Sequence, residues 1–374
     1  MFQRPDYDVL RAETPFTWRV SATYLALIDA SGVPIRDFYL DPEAGIEVFR
    51  RGGPAVRDLY GPDMPLWGPS TPPVSYGHVN GLGAELLFPE GGEVAHQHMC
   101  GSLEDAVEAV RRDVDFSSGG MAPFYLGYRR RLQKAFPDEK IGFAYGLEGP
   151  LTTAYELRGD GIFYDIMDQP EAVRRFLQIE VDSILAFHRF RCEVLDGSPV
   201  NPDTAGMADD IASMVPPKLW PDVVLPAWER YYSGMTTGRR NAHVEDLRPD
   251  QLPFLERIGL WSYDPSISPK LSPPVIRDRC RVPFGWRLAN FHYRSMAEQD
   301  VRDWVFQAVA DGAGSVHTLV CAGMVNAEHV VKVQAFKEAA TEAERMLTGG
   351  ATRADIATCV SNAGRERFWD HWPE

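Results

Sequence analysis

The chain has 374 residues, 44% of them hydrophobic and 24% charged, with a formal net charge of -15. That composition suits a soluble globular protein with a buried core, and the excess of acid excludes a general nucleic-acid binder, which needs a basic face for phosphate. The opening Met1-Phe2-Gln3-Arg4-Pro5-Asp6 lacks the charged and then apolar stretch of a leader, and no run of about 18 apolar residues could cross a bilayer, so a cytoplasmic location without membrane contact is expected.

Residues 1–95 are rich in Pro and Gly, with clusters such as Trp67-Gly68-Pro69-Ser70-Thr71-Pro72-Pro73, and show only short periodic stretches. They read as an irregular N-terminal extension packed on a main domain at 96–374. Ser102, followed by Glu104 and Asp105, predicts a capped helix over 103–114 with acids in its first turn. Ile141 to Tyr145 predicts a short strand ending at Gly149-Pro150. Pro170 then opens a long helix through Phe190, with apolar positions at Val173, Phe176, Leu177, Val181 and Ile184. Strands follow at 193–197, 240–244, 259–263 and 315–320, with helices at 249–258, 297–311 and 327–347. This alternation implies a parallel sheet with right-handed crossovers, in either an open doubly wound sheet or a closed barrel. No Gly-x-Gly-x-x-Gly or phosphate-binding loop opens any helix.

Polar groups gather near the ends of the predicted strands. Residues two apart on a strand project from one face, so the imidazole of His243 and the carboxylate of Glu245 are expected to converge on one point, where a metal ion or polar substrate would sit. Five cysteines, at 100, 192, 280, 321 and 359, are odd in number and irregularly spaced, which favours free thiols or a thiolate ligand over a disulfide framework. Asp209 and Asp210 would orient substrate or act as a general base if one has a raised pKa, or one would cap a helix. His292 and Tyr293 would line a pocket or donate to an oxyanion. Tyr145, Tyr155 and Trp261 would supply aromatic walls, although such aromatics often serve as core. His96-Gln97-His98-Met99-Cys100 has ligand-like spacing but precedes a helix in a loop and reads as surface. Arg129-Arg130-Arg131 reads as a solvated helix face.

The segment Gly149-Pro150-Leu151-Thr152-Thr153-Ala154-Tyr155, followed by Asp165 and Pro170-Glu171-Ala172-Val173, resembles the Gly-Pro-Phe-Thr and Pro-Glu-x-Val stretch of the uroporphyrinogen decarboxylase superfamily. The likeness continues through Asp209-Asp210, Pro216-Pro217-Lys218-Leu219-Trp220, Leu225-Pro226, His243, Asp264 and Cys321-Ala322-Gly323, covering roughly 140–340. It implies a (β/α)8 barrel with its chemistry at the C-terminal strand ends. The metal-free decarboxylases of that superfamily carry an N-terminal Arg-x-x-x-Arg stretch with no convincing counterpart here. The cobalamin-dependent methyltransferase branch binds zinc through a His-x-Cys strand end and a distal cysteine. His243 and Cys321 match, and Glu245 stands where that branch has its first cysteine.

By that resemblance His243, Glu245 and Cys321 are the zinc ligands, leaving a fourth position open. A carboxylate in place of a thiolate makes the ion a stronger Lewis acid, which favours an O-methyl substrate. Asp209, Asp210 and His292 are then the catalytic candidates, and Tyr145, Gly149, Tyr155, Asp264 and Tyr293 the substrate-binding ones. The expected partners are a small methyl donor or acceptor and a separate corrinoid protein carrying cobalamin, since no cobalamin-binding module is evident in this chain. A homodimer, a metal-free decarboxylase and a catalytically silent binding subunit stay open.

Overall fold

In the computed structural model, which describes residues 3–368, the strands are β1 (Thr17–Ala22), β2 (Leu86–Leu87), β3 (Ala95–His96), β4 (Thr204–Ala208), β5 (Arg239–His243), β6 (Leu260–Asp264), β7 (Gly285–Leu288) and β8 (Ser315–Val320). The fold is α/β: β1, β8 and β7 pair in parallel, as do β4 and β5, and β2 and β3 form a short antiparallel pair. Two units are distinguished, one holding residues 33–49 and 68–244 and the other 4–32, 50–67 and 245 onward. Among the described residues no helix is long and apolar enough to cross a membrane.

In the first unit β4 and β5 run parallel, in register from Thr204 opposite Arg239 to Ala208 opposite His243. The predicted strand at 141–145 forms parallel bridges, Ser70 with Gly142 and Val74 with Tyr145, rather than a regular strand. The long helix runs Pro170–Val194, with Pro in its first turn, where the missing amide costs nothing. It buries Val173, Phe176, Leu177, Val181, Ile184 and Phe187 on one face. Along β5, Arg240 and Ala242 are buried and the alternating Arg239, Asn241 and His243 are not. Arg240 is 1% exposed and pairs through two nitrogens with Glu229 of the Leu225–Met235 helix, at 2.6 and 2.8 Å. Glu229→Ala is therefore expected to cost about 3 kcal/mol in urea unfolding, the low end for breaking a buried pair, because Glu229 itself is half exposed. Loss of less than about 0.5 kcal/mol would show that Arg240 is held by its other neighbours.

In the second unit the sheet order is β1-β8-β7, all parallel. A bridge from Ala22 to Leu66 extends it on one side, and one from Tyr263 to Phe284 brings β6 in on the other. Val20, Ala22, Val316, Thr318 and Val320 are buried on one sheet face. Helices Glu298–Ala310 and Ala327–Thr348 pack together, with the Trp304 and Phe336 rings 6.2 Å apart.

Residues 1–95 depart from the expectation of an irregular extension. They contain β1, paired residue for residue with β8, and helices Tyr7–Glu13, Tyr24–Ser31, Ile35–Leu40 and Gly53–Tyr60. Pro and Gly cut these elements to lengths too short to show a period, and the partner of β1 lies some 300 residues downstream. The expected strand at 193–197 is also corrected: the long helix runs to Val194, and Asp196 adopts a left-handed φ of 54°. The strand that leads to Asp209 is Thr204-Ala205-Gly206-Met207-Ala208, whose small residues carry almost no hydrophobic signal.

Candidate functional site

The end of β4 delivers Asp209, which is wholly buried. Its amide donates to the His243 carbonyl at 3.2 Å. Its carboxylate turns back to helix Pro150–Arg158 and accepts from the Thr152 amide at 2.7 Å and the Trp228 indole nitrogen at 2.6 Å. The first amides of a helix have no partner within it, and Gly149, at the N-cap, has no side chain to supply one. Asp209 therefore caps this helix from another element, in a position the helix dipole favours. Gly149 makes this approach feasible: a Cβ there would lie 2.5 Å from Asp209 Cβ and 2.8 Å from the Ala208 carbonyl oxygen. Gly149→Ala is expected to cost about 1–3 kcal/mol by overpacking and to loosen Asp209. A thermal midpoint equal to that of the parent would refute this contact.

Around Asp209 stand three glutamates that the sequence reading did not single out. Burial raises Glu148 from 4.5 to about 7, helped by Asp210 and Asp209, while a Ser75 hydrogen bond and His243 act the other way. Burial likewise raises Asp209 from 3.8 to about 6 against the hydrogen bonds it accepts. Glu156 and Glu180 are pushed well above the usual carboxylate range, first by burial and then by neighbouring acids, Glu148 and Asp209 for the one, Asp209 and Glu156 for the other. Both carboxyl oxygens of Glu180 and Oε1 of Glu156 are buried without a hydrogen-bond partner in the structure. A buried carboxylate oxygen without a partner is costly, so the surroundings favour the protonated form of both groups. His78 is buried beside Ser183, 2.9 Å from its hydroxyl, and burial lowers it to about 3, so it stays neutral. Glu148 alone among the three glutamates keeps partial solvent access. A half-buried carboxyl poised near 7 can give or take a proton at working pH.

The other expected residues fall in different places. Asp210 is half-buried and opens the 3-10 turn Asp210–Met214. His243 ends β5 and, with Asn241 and Arg239, lies on the face opposite buried Arg240 and Ala242. The strand stops there, so strand alternation does not extend to Glu245. Cys321, just beyond β8, is 7% exposed and accepts a hydrogen bond from the Thr23 hydroxyl at 3.7 Å. Among the described residues no group of three or more His, Cys, Asp and Glu side chains stands together in a way that could hold a metal ion.

Tyr145 is core: wholly buried, it donates to Asn80 and packs 5.4 Å from the Tyr125 ring and 5.8 Å from Phe187. Tyr293 is likewise fully buried, and its carbonyl accepts from Lys332 Nζ at 2.8 Å. His292, 6% exposed, packs edge-on against Phe291 in the turn after β7. Tyr155 lies on the capped helix against His98 and Phe163. Asp264 ends β6 and accepts from the Ser266 amide at 2.8 Å. His96 and His98 serve structure, both reaching the Glu156 carbonyl, at 3.2 and 3.0 Å, near the C-terminal end of the same helix. Arg131 pairs with Glu43 on an exposed face.

No family model matches the chain, and no curated protein does. Among solved structures, a methyltransferase from Methanosarcina mazei is similar, with 18% identity over 90% of this chain and 97% of that one and a TM-score of 0.61. At that identity the likeness establishes a shared fold.

Proposed function

We propose that this protein is a methyltransferase built on a (β/α)8 barrel, moving a methyl group from a small methoxylated substrate to a corrinoid carried by a separate protein. The observation that carries the reading is Glu148, a half-buried residue whose carboxyl keeps its proton to about 7 and is backed by buried Asp209. The fold shared with a methyltransferase supports it. Breaking a methyl–oxygen bond leaves an electron pair on the oxygen, and a positioned acid of matched pKa removes the cost of that charge. In this reading the methyl group leaves as a cation equivalent, a reduced corrinoid would supply the electron pair for its new bond, and Glu148 gives its proton to the departing oxygen. Asp209 fixes the strand end and helix around Glu148, and burial, by favouring the protonated forms of Glu156 and Glu180, limits the negative charge around it.

The test mixes the purified protein with methoxylated aromatic compounds and a reduced corrinoid protein and follows methylated corrinoid by absorbance. Methylation that depends on Glu148 supports the proposal. Release of carbon dioxide without methylated corrinoid would select the decarboxylase reading, in which the same carboxyl protonates the carbanion left behind. Neither product would favour a silent binding subunit. Zinc at His243, Glu245 and Cys321 is a separate question for metal analysis of protein purified without added metal. About one zinc per chain, retained less tightly in Glu245→Gln, would bring the metal into the proposal.

A further inference from the structure

The sheet of the second unit carries an unusual inner row. In β1, β8 and β7 the residues Val20, Val316, Thr318, Trp286 and Leu288 are buried on one face, so the residues between them point the other way. On that other face the register sets Arg19 opposite His317 and His317 opposite Arg287. Parallel sheets are normally apolar on both faces, yet this one places two guanidinium groups and an imidazole side by side. A cavity of about 320 Å³ opens at Arg19 and His317 of the row, lined also by Thr17, Ser262, Asp264 and Ser315, with Arg287 beside His317 in register. Arg19 is exposed within it. Arg287 reaches Ser266 Oγ at 3.3 Å through one terminal nitrogen, while its Nε is buried without a hydrogen-bond partner. Asp264, on the far wall, is engaged by the Ser266 amide at 2.8 Å.

We propose that the Arg19–His317–Arg287 row is a binding site for the oxyanion, carboxylate or phosphate, of a small ligand, with Asp264 accepting a hydroxyl or amine from its other end. A planar guanidinium binds either anion through paired hydrogen bonds, and a cavity of this size holds a single-ring acid. In a chain with a net charge of -15 the row also gives an anion a local attraction that the rest of the surface does not.

Isothermal titration of the full-length protein with 4-hydroxybenzoate, phenyl phosphate and uncharged 4-hydroxybenzyl alcohol tests this without requiring methyl transfer, so its failure would leave the proposed reaction standing. The acids are expected to bind at least about tenfold more tightly than the alcohol, and Arg19→Gln to remove about tenfold of that affinity while leaving the alcohol unchanged. Arg287→Gln is expected to act in the same direction, and the relative strength of the two acids identifies the preferred anion. Undetectable acid binding, equal binding of acid and alcohol, or affinity unchanged in both variants would overturn the site.

Discussion

Replacing Glu148 by glutamine is expected to lower kcat/KM for methyl transfer by about 10²–10⁴-fold, the usual contribution of a positioned general acid. Glutamine keeps the size and removes the transferable proton. The pH profile carries the sign. Glu148 titrates at about 7 in the folded protein, and the proposed reaction uses its protonated form, so kcat/KM should be highest below that pH and fall as pH rises through it. In Glu148→Gln that limb should disappear. A variant within threefold of the parent, or one that keeps the limb, would move the proton donor elsewhere. A profile that rises through 7 would instead make Glu148 a base.

Stability should change with pH in the same region. Glu148 and Asp209 have folded-state values of about 7 and about 6, above their ordinary 4.5 and 3.8. A group raised on folding contributes stability that is fully present below its unfolded value and is lost as pH rises through its folded value. Each shift spans roughly two units or more and corresponds to about 3 kcal/mol in full. Between about pH 5.5 and 8 the pair together should lose about 3 kcal/mol, most of it from Glu148, and the two titrate as a coupled set. Urea unfolding at the two pH values measures this. Glu180→Gln, which removes a buried carboxyl with no partner, should raise the midpoint at pH 8 and change it little at pH 5.5. A midpoint that rises with pH in the parent, or a destabilised Glu180→Gln at pH 8, would show that these acids are charged and compensated.

The long elements were legible because their side chains repeat. The helix at Pro170 and the strand at Ser315 follow from periodicity and a first-turn proline. β4 was not, because Thr-Ala-Gly-Met-Ala has one large apolar residue and owes its conformation to β5 alongside. β1 was lost among prolines for a similar reason. Within the site, Asp209 and Gly149 could be singled out in the sequence, but their tie could not, since it joins a strand end to a helix start 60 residues earlier. Glu148, Glu156 and Glu180 gave no signal: a glutamate held among buried groups is written in the same letters as an exposed one. The aromatic candidates Tyr145 and Tyr293 turned out to be core, the commoner fate of such residues.

The pairing of β1 with β8 bears on how the chain is made. The first unit is drawn largely from one continuous stretch, 68–244, and can close while the ribosome is still adding residues. β1 cannot: its hydrogen-bonding edge waits for Ser315–Val320. At about 5–20 residues per second that wait is about 15–60 s. Throughout it, the apolar side of Thr17–Ala22 has no sheet to join. This window is where a nascent-chain chaperone would matter most, and where slowed translation or loss of such a chaperone should first appear as aggregation.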